Sequence, residues 1–153
     1  MNKLLAVASV LSLTIVGSFA LAGPKADPKT DAKADAKAEP LTIKTQIEQG
    51  KKLYVANCAK CHGDAGQGTK EAPPVVGKDA FPLDPRPKAK RDVKFHTAAD
   101  VFAWATKNMP AKKPGSLKTD EYLAIFAFDL DANGVKLDKP LDGAAAAKIV
   151  LHP

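Results

Sequence analysis

The stretch Cys58-Ala59-Lys60-Cys61-His62 holds both cysteines of the 153-residue chain, three positions apart, with a histidine directly after the second. Three chemistries use such a cluster. Two thiols on one turn can each bond a vinyl group of a haem, and the adjacent imidazole then faces the iron. A redox dithiol uses the same spacing but needs a strand-helix scaffold, and no alternating strand pattern occurs here. A structural zinc site needs four ligands. The other histidines, His96 and His152, stand alone, and no second Cys/His pair exists. The residues favour covalent haem, and a plain disulfide is its rival.

That rivalry depends on compartment, which the other end of the chain addresses. A short positive start, Met1-Asn2-Lys3, leads into an apolar run from Leu4 to Ala22 that closes on Ala20-Leu21-Ala22. This pattern predicts an export signal over residues 1–22, cut before Gly23. Left uncut, the run approaches the length of a membrane anchor, so a membrane association is expected only in that case. Export places the cysteines where disulfides form by default.

Residues 23–40 read GPKADPKTDAKADAKAEP, with lysines 25, 29, 33 and 37 interleaved with acids 27, 31, 35 and 39. No large apolar residue appears, so the segment cannot offset its ordering entropy by burial, and a flexible linker is expected. The folded domain is then residues 41–153, with 18 basic and 13 acidic side chains.

Within that domain the hydrophobic spacing is helical. Ile43, Ile47, Gly50, Tyr54 and Cys58 fall on one stripe, capped by Thr42 or Thr45. Gly50 on the apolar face costs helix stability, which a close helix crossing explains. Thr97 with Asp100 three residues on predicts a second helix, which must end before Met109 because Pro110 follows. A third helix opens at Thr119-Asp120-Glu121, runs through Tyr122, Leu123, Ile125, Phe126, Phe128 and Leu130, and stops at Asn133-Gly134. It is the expected partner of Gly50. A short helix is expected around Gly143 to Ile149. The fold class is all-α with long loops, one of them Pro-rich and basic over residues 82 to 94.

The iron of a six-coordinate haem needs a second axial ligand, often methionine. Met1 leaves with the signal, so Met109, in a Pro-bounded loop between two helices, is the one candidate thioether. A core gap-filling role is its alternative, and His96 is the rival ligand.

The segments GKKLYVANCAKCHG, APPVVGK and NMPAKKPGSLKTDEYLAIFAF, with the closing Asn133-Gly134, resemble a small soluble monohaem cytochrome c of the His/Met-ligated CxxCH type, over about residues 44 to 134. The resemblance implies a small cytochrome c-like fold of about three to five helices wrapped around one haem. It implies one haem c attached through Cys58 and Cys61, with His62 and Met109 as axial metal ligands. It further implies that the Pro73 carbonyl holds the other nitrogen of His62, and that Gly50 and Tyr54 mark the crossing of first and last helices. Trp104 is a candidate propionate partner, with core packing as the alternative. No catalytic residue is expected.

Such a haem also accounts for an aromatic content of only 6%, since it supplies the apolar plate that the core lacks. The implied function is periplasmic electron transfer by iron cycling between Fe(II) and Fe(III). The alternative is a cytochrome subunit of a periplasmic oxidoreductase acting on a sulfur compound or an alcohol. Partners are expected to be redox proteins, with acidic docking surfaces if Arg86 to Lys94 and Lys107, Lys112, Lys113 and Lys118 ring the haem edge. The modest charge and the compartment argue against nucleic acid. The departures from the family pattern are the linker, the basic loop and an extension over about residues 135–153.

Overall fold

The structure, a computed structural model, describes residues 40–87 and 89–152. The export signal over residues 1–22 and the linker over 23–40, Pro40 excepted, lie outside the described residues. Five helices follow in chain order: α1 (Ile43–Asn57), α2 (Ala59–His62), α3 (Ala98–Asn108), α4 (Thr119–Ala132) and α5 (Gly143–Lys148). Among the described residues there is no strand, only an isolated antiparallel bridge between Thr97 and Val150.

Side chains fix the helix starts. Thr42 accepts from the Thr45 amide at 3.1 Å while Thr45 Oγ1 accepts from the Thr42 amide at 2.9 Å, a reciprocal cap for α1. Thr97 and Asp100 do the same for α3. Asp142 caps α5 through the Ala145 amide at 2.7 Å. α3 ends at Asn108, leaving Met109 as its extended C-cap residue.

α1 and α4 cross at Gly50. A Cβ placed on Gly50 would lie 1.9 Å from the Ala124 carbonyl oxygen, so only hydrogen fits between the two backbones. Tyr54, one turn along, is buried and meets Phe128 with ring centroids 5.3 Å apart. The α1 stripe is displaced from the one expected: Gln46 is buried with Gly50 and Tyr54, while Ile43 and Ile47 are only partly covered. Gln46 is buried because its amide is satisfied twice over. Its Nε2 donates to the Leu141 carbonyl at 2.9 Å and its Oε1 accepts from the Leu141 amide at 2.7 Å.

The stretch after Gly134 is part of the core. Leu141 and Ala146 are buried with Phe95, Ala98, Val101, Phe126, Ala127 and Leu130. α5 lies against α3, and the chain then pairs with the segment before α3, the Ile149 carbonyl accepting from Ala98 at 2.9 Å and the His96 carbonyl from Leu151 at 2.8 Å. His152 Nε2 reaches the Phe81 carbonyl at 2.7 Å.

The basic loop is organised from inside by one of its own cations. Arg91 is only 8% exposed, against the expectation of a surface charge. Its guanidinium donates to the carbonyls of Pro82, Leu83, Asp84 and Val93 at 2.6 to 3.1 Å and lies 3.8 Å over the Phe95 ring. A planar fork with five donors meets four converging carbonyls in a way no other side chain can. Arg86 donates to the Asp79 carbonyl, and Lys94 pairs with Asp84 at 2.9 Å. These three cations of the loop are therefore occupied locally, whereas Lys107, Lys112, Lys113 and Lys118 around the methionine loop are exposed.

Candidate functional site: the cysteine turn and its two loops

α1 delivers Cys58 at its C-terminus, where the Cys58 amide still donates to the Tyr54 carbonyl at 2.8 Å. The single turn of α2 then carries Cys61 and His62, whose amides both donate to the Cys58 carbonyl at 3.0 Å. Both cysteines are free thiols and half-buried. Burial is the main cause that pushes the Cys58 thiol up to about 12, with the nearby Asp129 and Cys61 adding to it. A working redox dithiol needs the reverse, a thiolate favoured near neutral pH. Among the described residues no three His, Cys, Asp or Glu side chains are grouped so as to hold a metal by themselves.

The backbone around this turn is fixed by glycines. Gly63 leaves the turn at φ 85°, and its carbonyl accepts from the Tyr54 hydroxyl at 2.7 Å. Gly66 accepts from the amides of Val75 and Val76 at 2.8 and 2.9 Å, and a Cβ there would strike Val76 at 2.5 Å. Gly68 donates to the His62 carbonyl at 2.7 Å and lies against Pro74. The loop of residues 63–68 thus lies flat on the Pro73–Val76 segment. The result is a contact of 2.7 Å between His62 Nδ1 and the Pro73 carbonyl. A carbonyl only accepts, so Nδ1 carries the proton and Nε2 is left with its lone pair free to bind.

Met109 sits at the C-terminal end of α3, half-buried. Its carbonyl accepts from the Tyr122 hydroxyl of α4 at 2.5 Å and from the Gly115 amide at 3.2 Å, which pins both ends of the methionine loop. Trp104 packs edge-on against Phe95, centroids 6.1 Å apart, within the cluster built around α3 and α4. The structure therefore gathers Cys58, Cys61, His62 and Pro73, while no hydrogen bond among the described residues joins Met109 or Trp104 to that group.

What joins the segments is apolar. Cys58 from the turn, Val75 from the proline loop and Leu117 from the methionine loop all pack on one cluster of Tyr54, Ala59 and Ile125. Two free thiols and an imidazole with one committed nitrogen, opening on a shared apolar surface, fit a covalently attached haem. Three residues in this frame carry weight that the spacing of the sequence did not reveal. Tyr122 holds the methionine loop. Asn133 bridges α4 to the proline loop, accepting from Gly77 at 2.9 Å and donating to Val75 at 2.8 Å. Asp129 is a carboxylic acid buried against the cysteine turn. Asn133 had a readable signal only as a helix stop, and Tyr122 only as a core aromatic.

The chain is similar to thiosulfate dehydrogenase of Stutzerimonas stutzeri (strain A1501), 33% identical over 87 residues that cover 54% of this chain and 26% of that protein. It is also similar to the crystal structure of the sulfane dehydrogenase SoxCD from Paracoccus pantotrophus. That match has a TM-score of 0.53 at 31% identity, covering 69% of this chain and 52% of the other. The chain thus spans about half or less of each of these relatives. Residues 45–128, more than half of the sequence and inclusive of the cysteine turn and both loops, match the family described as cytochrome c oxidase, cbb3-type, subunit III, and the chain belongs to that family of class I, electron-transferring cytochrome c domains.

Proposed function

We propose that the chain is an exported, single-haem electron acceptor for the oxidation of a sulfur compound. Cys58 and Cys61 would hold the haem covalently, and His62 and Met109 would bind its iron. When bound, the haem supplies a one-electron couple whose potential is raised by thioether ligation and by an apolar surround. The protein's own residues do the rest. The Pro73 carbonyl fixes the His62 ring and its tautomer. Tyr122 and Gly115 hold the backbone of Met109 in place, and Val75, Leu117, Ile125 and Phe128 keep water from the cysteine turn. Nothing here needs a proton donor or a nucleophile, so the chain serves as a carrier that an oxidoreductase loads and unloads.

The observation that carries this reading is the 2.7 Å contact between His62 Nδ1 and the Pro73 carbonyl on a turn bearing two free thiols. The sulfur assignment is supported by the names of the two similar proteins, each matched across only part of its length. No helix among the described residues is long and apolar enough to cross a membrane.

The test is the full chain produced in a host that matures c-type cytochromes. Its pyridine haemochrome spectrum should show two thioether links. Its mass should be that of the chain from Gly23 plus one haem. Reduction by a thiosulfate- or sulfane-oxidising enzyme should follow on mixing. A colourless product of peptide mass overturns the haem. A coloured product that only alcohol-oxidising partners reduce overturns the sulfur assignment. Elution with a partner from native extract identifies a subunit, and elution alone at monomer size a free shuttle.

A further inference from the structure

Among the described residues Asp129 is the one buried carboxyl, and nothing above explains its burial. It lies on α4 one residue after Phe128, is 4% exposed, and its Oδ1 has no hydrogen-bond partner. An ionised carboxylate in such a place is costly unless paired. Among the described residues the single ion pair is Lys94 with Asp84, so Asp129 has no cation to hold its charge. The titratable groups that face it are Tyr54 from α1 and Cys58 from the junction of α1 and α2, and its charge acts on both. Asp64 and Cys61 act on those two in turn. All of these are acids, so none would favour the charged carboxylate. Burial accordingly raises the Asp129 carboxyl well above its ordinary range. In this setting the group is held as a neutral acid at one polarity of its surroundings and can be driven to ionise at another.

Its neighbour is Cys58, which the reading above makes an anchor of the haem. We infer that Asp129 is a redox-linked proton site: it takes up one proton from solvent when one electron enters the domain and releases it when the electron leaves. The balance is simple. An electron-poor centre carries one more positive charge, which favours the carboxylate. Arrival of the electron removes that charge, and the carboxylate in its dry pocket binds a proton in its place. Charge inside the domain is then nearly unchanged by electron transfer, at the cost of making the electron affinity depend on pH. This inference rests on the haem reading.

The experiment is an equilibrium redox titration of the haem-loaded protein from mildly acidic to mildly alkaline pH, for the natural chain and for Asp129→Asn and Asp129→Leu. The natural protein should lose reduction potential as pH rises, approaching a tenfold change in equilibrium constant per pH unit, which is about 59 mV for a one-electron couple. Both variants should be flat over the same interval. A reduced-minus-oxidised infrared spectrum of the natural protein supplies a readout that needs no variant. A protonated-carboxyl band should appear on reduction, shift in heavy water and be absent from whichever variant folds. A natural protein with pH-independent potential and no such band overturns the inference while leaving the haem intact. So does an Asp129→Asn protein that keeps the natural slope, since the proton then sits elsewhere. A colourless chain of peptide mass overturns the haem reading itself, and this inference with it.

Discussion

Gly50→Ala isolates the contact on which the whole arrangement turns. Helix preference alone favours the change by about 1 kcal/mol, because alanine restricts the unfolded chain and glycine does not. The crossing opposes it. The new methyl would stand 1.9 Å from the Ala124 carbonyl oxygen, 2.5 Å from its carbon and 3.1 Å from the Ile125 nitrogen. All three are backbone atoms of a helix interior, so no side chain can swing away. To reach an ordinary contact of about 3.5 Å, the helices must part by about 1.5 Å at this point. A gap of 0.5–1 Å already forfeits about a quarter to a half of the dispersion well of each facing atom pair. The losses fall on Tyr54, Ile125 and Phe128, which pack along the same crossing. Overpacking of this kind costs about 1–3 kcal/mol, and the rigidity of both partners places it at the upper end. The net expectation is a loss of about 2 kcal/mol after the helix preference is credited. Urea unfolding of the haem-loaded protein, followed by far-ultraviolet circular dichroism, should show a lower midpoint with an unchanged slope. A midpoint equal to or above that of the natural protein would refute the close crossing.

Arg91→Ala should cost about 3 kcal/mol, since it leaves four inward carbonyls without their donor, and Arg91→Lys should recover only part of it. An unchanged thermal midpoint in Arg91→Ala would show that the loop does not depend on it. Tyr122→Phe should lose about 1 kcal/mol and loosen the methionine loop, seen as weakening of the iron–thioether absorption band before global unfolding, and a band as robust as the natural one would count against that role. Stability should fall as pH rises above about 4, because the folded state holds the Asp129 proton over a range in which the unfolded state has released it. The decline should stop once pH passes the raised value, and Asp129→Asn should remove it, as pH-dependent denaturant titrations would show.

Local features of the chain announced local structure. Thr42, one of the two threonines offered as a cap, and Thr97 marked the starts of α1 and α3, Pro110 marked the end of α3 just before Met109, and the acidic Thr119-Asp120-Glu121 opened α4. Gly50 on an apolar stripe pointed to α4 as its partner because glycine inside a helix needs a steric reason. What stayed hidden depends on residues far apart in sequence. Gln46 lies off the apolar stripe read from the sequence, and its burial rests on Leu141, which supplies both halves of its amide pairing. Arg91 looked like one more surface cation in a basic loop, and only the converging carbonyls explain its burial. Residues after Gly134 carried too little periodicity to reveal that Leu141 and Ala146 complete the core. Asp129 was invisible for the same reason: a lone acid among apolar residues reads as the wet side of a helix, and only the crossing shows that this side is dry.

Because residues 50 and 124 must meet before the crossing exists, the pocket wall beside the thiols is assembled late, by sequence far downstream of the turn it covers. Until α4 docks, Cys58 and Cys61 stand on an accessible stretch that an attaching enzyme can reach. Once it docks, both cysteines are half-buried. If Cys58 and Cys61 carry the proposed haem, this topology favours making the covalent link on an open chain, with closure of the helix pair covering it afterwards.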